Sequence, residues 1–146
     1  MDVRFSVRDD GLVDADLGPD WPIFNEALGD SISSLPPRGS SDVGPSTYWI
    51  DHASEGARRA AAAGSDAPFT SGNITLLRVR GDSVVACYDF AEEEEELLPL
   101  ADFLRLLDLW RAEVLAIPQA RRIRYPETYR RNPWAQITAP DGDAAG

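Results

Sequence analysis

Apolar and polar residues alternate at the start of the chain. Val3, Phe5 and Val7 are interleaved with Arg4, Ser6 and Arg8, and Val13, Ala15 and Leu17 with Asp14 and Asp16. Period-two alternation predicts half-buried strands. Asp9-Asp10-Gly11 between them predicts a hairpin with Gly11 at positive φ in a three-residue loop. That register pairs Val7 with Val13, Phe5 with Ala15 and Val3 with Leu17, and it brings Arg4 opposite Asp16. A two-residue loop would set Val7 against Asp14 and mix the faces, so the three-residue register is expected.

The pattern then changes period. Gly18-Pro19-Asp20 ends the hairpin, Asp20 is the expected N-cap, and Trp21-Pro22 opens a helix with proline in its first turn. Ile23, Phe24, Ala27, Leu28 and Ile32 follow at helical spacing to about Leu35. Residues 36–46, rich in Pro, Gly and Ser, read as a flexible loop. Ser46 to Asp51 (STYWID) reads as a short strand. Ala53 to Ala63 reads as an alanine-rich helix stopped by Gly64, despite Gly56.

Residues 73–90 (NITLLRVRGDSVVACYDF) carry the clearest strand signal. A two-residue Gly81-Asp82 turn pairs Val79 with Val84, Leu77 with Ala86 and Thr75 with Tyr88. Apolar residues on both faces place this hairpin centrally in a sheet. Glu92 to Glu96 read as an acidic loop before the longest helix, roughly Leu98 to Ile117. Its stripe is Leu100, Phe103, Leu104, Leu107, Trp110, Val114 and Ile117. Leu109 falls among the polar positions and is exposed in a monomer; the same residue offers a contact for a homodimer.

These elements make an α+β domain: a mostly antiparallel sheet of about five strands with helices packed on it, in the order ββαβαββα. The 146 residues suffice for one core, so residues 1–134 form a single domain and 135–146 a polar tail. No internal repeat is present.

Charge narrows the function classes. The chain holds 25 acids against 14 bases, a net of -11, and every base is arginine. Such a surface repels phosphate, which argues against broad nucleic-acid binding or attachment to anionic membranes. The lack of lysine removes Schiff-base chemistry and the lysine of a phosphate loop. The charged start has no apolar core of a signal peptide, and no apolar run is long enough to span a bilayer. With a lone cysteine and no disulfide possible within the chain, a cytoplasmic protein is expected.

Candidate chemistry is sparse. The single histidine, His52, stands beside Asp51 at an expected strand end, where a base could sit, but no nucleophile motif accompanies it. Cys87 lies mid-strand, where burial makes a thiol inert. One His and one Cys do not make a zinc site. The glutamate run lacks the alternating spacing that folds a loop around calcium. No catalytic residue, metal site or cofactor is therefore assigned. Residues 121–131 (RRIRYPETYRR) reverse the charge, with five arginines and one glutamate, and Tyr125, Tyr129 and Trp134 interleave with them. That segment is expected to fold back and neutralise the acidic body.

The layout over about residues 46–117 is a WIDH strand leading into an Ala/Arg helix, then a tight hairpin, an acidic loop and a Leu-rich helix. It resembles small actinobacterial immunity-type proteins of polymorphic toxin systems. The resemblance implies a non-enzymatic, protein-binding inhibitor that meets one cognate toxin. The residues expected to face that partner are Glu92, Glu93, Glu94, Glu95, Glu96 and Asp102, because an anionic surface can occupy a basic cleft and speeds association with it. The alternatives are a module binding a small molecule or peptide between sheet and helix, a homo-oligomeric structural protein, and an enzyme built on His52 and Asp51.

Overall fold

A computed structural model describes residues 2–40 and 44–118. The architecture is α+β, as the hydrophobic pattern implied. Its six strands form two antiparallel sheets: β1 (Arg4–Val7) pairs with β2 (Val13–Asp16), and the larger sheet has the order β3 (Thr70–Ser71), β4 (Thr75–Arg80), β5 (Ser83–Tyr88), β6 (Ala91–Pro99). Three α-helices complete it: α1 (Pro22–Ala27), α2 (Tyr48–Ala63) and α3 (Leu100–Leu115).

Both hairpin registers agree with the alternation. Val7 faces Val13, Phe5 faces Ala15 and Arg4 faces Asp16. In the second hairpin Val79 faces Val84, Leu77 faces Ala86 and Thr75 faces Tyr88. Gly11 and Gly81 hold positive φ, 89° and 62°, which lets each turn close without steric cost to a side chain.

The core lies on one face of the larger sheet. Leu77, Val79, Val84, Ala86 and Leu98 point inwards and meet Phe24 and Ala27 of α1, Ile50, Ala53 and Ala57 of α2, and Phe103, Leu107 and Trp110 of α3. β2 closes the end of this layer, where the Trp110 indole Nε1 donates to the Val13 carbonyl at 2.9 Å.

Three local expectations are corrected. The STYWID segment is no strand. Its last four residues are the first turn of α2, because Ile50 extends the buried stripe of Ala53, Ala57 and Ala60 by one helical step. Order along the chain is therefore ββααββββα. Secondly, the glutamate run is no loop but lies in β6, the edge strand of the sheet. Helix α3 begins after it, at Leu100, with Pro99 at the cap position.

The third correction concerns the helix after Trp21. It is a short α-helix that widens into a π-helical turn, Leu28–Ile32, and stops at Ser33 with φ 68° and ψ 163°. Its N-terminal cap is not Asp20: the cap residue is Trp21, which makes no side-chain cap hydrogen bond. Of the loop 36–46, residues 41–43 lie outside the described residues, as do the whole segment 121–134 expected to fold back and the tail 135–146. Beyond residues 41–43 the loop is tied at its end, where the Ser46 N–H donates to the Ser34 carbonyl at 2.8 Å.

Candidate functional site: the acidic edge strand

β6 runs beside β5 with its other side unpaired among the described residues. The strand enters from a tight turn at Asp89-Phe90. Tyr88 faces Ala91, yet Cys87 faces Glu95, so Glu92, Glu93 and Glu94 have no residue opposite and form a bulge. A bulge bends an edge strand away from further pairing. It also thrusts these three carboxylates outwards, and all three side chains belong to exposed residues.

The register sorts the remaining glutamates between the two faces. Glu96 lies opposite Ala86 and so points to the core side. Its two carboxylate oxygens accept hydrogen bonds from the backbone N–H groups of Ile23 (3.0 Å) and Phe24 (2.9 Å), the unpaired donors at the start of α1. A carboxylate at a helix N-terminus also meets the positive end of the helix dipole. Glu95 points outwards and takes a bidentate pair from Arg80, at 2.7 and 3.1 Å. The Arg80 guanidinium, through that hydrogen bond, holds the Glu95 carboxyl below its ordinary value. Glu92 reaches Arg78 at 3.0 Å. Glu93 and Glu94 make no ion pair with any described residue. Asp102, in the first turn of α3, is half-buried.

The six residues assigned from sequence therefore divide. Glu92 to Glu95 share an exposed strand, Glu96 is committed inside the fold, and Asp102 stands on the helix that follows. One residue of the surface escaped the sequence reading. Phe90, at the turn heading β6, is 71 % exposed and stacks on Tyr88 with ring centroids 5.0 Å apart. Its signal was a large apolar residue beside Asp89 in a tight turn, where no strand or helix periodicity calls for one.

The other candidate chemistry is placed as follows. Asp51 is engaged by Arg111 Nε at 2.9 Å and by Thr47 Oγ1 at 3.0 Å. His52 is exposed on α2, with its ring 5.5 Å from Trp49 and 6.4 Å from Tyr48. Asp51 thus points its carboxylate at an arginine and a threonine rather than at the imidazole. Cys87 is buried in β5, and burial pushes its thiol above the ordinary value. Among the described residues no three His, Cys, Asp or Glu side chains are grouped to hold a metal ion, and no helix is long and apolar enough to cross a membrane.

Clefts are small. One of about 290 Å³ lies beside the π-helical turn and Trp49. Its acidic group, Asp30, already accepts hydrogen bonds from the N–H groups of Asn73, Ile74 and Thr75 and from Thr75 Oγ1. Another, of about 310 Å³, lies between the end of α2 and the β4–β5 turn, where Arg80 is tied to Glu95.

Comparison of the chain with protein-family models, with characterised proteins and with solved structures finds no match.

Proposed function

We propose that this protein acts by binding another protein through the outer side of β6, as a non-enzymatic inhibitor of the immunity type, in the cytoplasm. The observation that carries the reading is the bulge: three consecutive glutamates stand out from an edge strand, beside an exposed Phe90. A rim of negative charge steers a basic partner towards the surface, and an aromatic side chain beside it supplies the desolvated anchor that charge alone does not. The partner this chemistry fits is a protein with a basic cleft, such as a nuclease toxin whose substrate phosphates the glutamates would replace. The ligand-binding alternative is weaker, because Asp30 in one cleft and Arg80 in the other are already held by partners within the fold.

The test uses the product of the reading frame adjacent in the genome. Its association with this protein is followed by stopped flow as salt is varied. The paired substitution Glu93→Arg and Glu94→Arg is expected to slow association about tenfold or more at low salt and to flatten the salt dependence. Phe90→Ala is expected to speed dissociation instead. If a partner binds and the reversed glutamates leave its association rate unchanged, β6 is not the surface. If the adjacent product does not bind and its toxicity is not relieved by co-expression, the immunity reading fails.

A further inference from the structure

The outer face of the larger sheet bears apolar side chains that, among the described residues, no helix covers. The register sets Arg78, Val85 and Leu97 in one row and Leu76, Cys87 and Glu95 in the next, all turned away from the core. Val85 is fully buried and Cys87 is 2 % exposed, yet neither belongs to the core cluster. Leu97, in the same row as Val85, is 44 % exposed. Arg78 lies over this face, and among the described residues its buried Nε has no acceptor. An unmet buried N–H costs about 1–3 kcal/mol, so this face calls for a cover that brings hydrogen-bond acceptors as well as apolar surface.

The chain itself carries a segment of matching chemistry. Residues 121–131 hold five arginines and one glutamate, a net of +4 on a chain whose total is -11. Tyr125, Tyr129 and Trp134 supply rings with both apolar and polar edges. Pro118 is the last described residue. From there to Trp134 an extended chain reaches about 50 Å, ample to round a domain of roughly 13 Å radius of gyration. A bulged, glutamate-lined edge resists strand addition, so the contact is one of side chains laid across the face.

We propose that Arg121 to Trp134 of this same chain is the occupant of the outer face, its aromatic rings over Val85, Cys87 and Leu97 and its arginines on Glu92, Glu93 and Glu94. The docking does not depend on the inhibitor reading. If both hold, a basic partner and the segment compete for the same glutamates.

Cys87 is the only cysteine in the chain, so its alkylation by iodoacetamide, a neutral reagent, reports on the cover. The full-length protein is compared with a variant carrying Arg121→Glu, Arg122→Glu, Arg124→Glu, Arg130→Glu and Arg131→Glu. The variant is expected to react about tenfold faster or more, as protection by a local contact is lost. New negative charge disfavours a thiolate, so an electrostatic effect on the thiol has the opposite sign. Adding Glu92→Arg, Glu93→Arg and Glu94→Arg to the variant is expected to restore slow alkylation. A second measurement needs no variant: trypsin is expected to cut the native protein at Arg121 to Arg131 far more slowly than it cuts a synthetic peptide of residues 119–134. Wild-type alkylation in a folded five-arginine variant, or cleavage of the native protein as fast as the peptide, overturns the proposal. Neither measurement contains a partner, so its result stands apart from the test of function.

Discussion

Glu96 Oε1 accepts a hydrogen bond of 2.9 Å from the backbone N–H of Phe24, 72 positions earlier in the chain. With the Ile23 N–H on Oε2, one carboxylate joins the edge strand to the first turn of α1. The glutamate run therefore performs two tasks from one strand: its bulged part faces outwards and its last member closes the fold. Glu96→Ala is expected to cost about 1–2 kcal/mol, the loss of a helix cap, whereas Glu93→Ala changes stability by less than about 0.5 kcal/mol. Urea denaturation of the two variants distinguishes them.

Asp30 is a second hub. Burial pushes its carboxyl up, but the hydrogen bonds from Thr75 Oγ1 and from the N–H groups of Ile74, Asn73 and Thr75 outweigh burial and hold it below the ordinary value of 3.8. A carboxyl depressed in the folded state adds stability that is fully present above its unfolded pKa. The contribution is lost as pH falls from about 4 through the lower folded value. Asp30→Asn is thus expected to destabilise the protein by about 1.5–3 kcal/mol near neutral pH and to lessen the decline in stability below pH 4. Thermal melts from pH 7 to pH 2.5 check both.

Gly72 gives way to Asp30. A Cβ at this glycine would collide with the Asp30 carbonyl and with its carboxylate group. Gly72→Ala is expected to cost about 1–3 kcal/mol through displacement of the turn. Because the clash and the hydrogen bonds involve one residue, the loss in the double variant Gly72→Ala, Asp30→Ala should fall short of the sum of the single losses. Full additivity in denaturant titrations would refute that coupling.

Ser33 carries strain. Its φ of 68° and ψ of 163° belong to a region that glycine alone enters freely. Its side-chain oxygen accepts one long hydrogen bond, 3.3 Å from the Leu35 N–H. Ser33→Gly is therefore expected to raise stability, by up to about 1 kcal/mol once the flexibility of glycine in the unfolded chain is set against the relief. A rise in thermal midpoint supports this; a fall would mean that the Ser33 hydroxyl outweighs the strain.

Trp110 couples α3 to the small sheet. Trp110→Phe keeps a ring in the core but leaves the Val13 carbonyl without the indole donor. An expected loss of about 1–3 kcal/mol follows from an unmet buried carbonyl together with the smaller ring. Hydrogen exchange of the β1–β2 amides should accelerate along with it.

What the linear pattern determined is local. Both hairpin registers follow from alternation over a few residues on either side of a glycine turn, and the α3 stripe follows from helical spacing within one segment. Gly64, with φ 63° at the end of α2, likewise stops its helix by conformation alone. The tertiary structure decided whatever needed a distant partner. Tyr48, Trp49 and Ile50 have strand-like side chains, but Ile50 is helical because its burial against the core completes the α2 stripe. Glutamate disfavours strands, yet β6 forms because the open edge of β5 needs hydrogen-bond partners and Leu98 fills the core. Charge composition announced an acidic surface along residues 92–96. Only the bulge at Cys87 and Tyr88, and the helix start waiting at Phe24, determined which carboxylates face outwards and which one is held within.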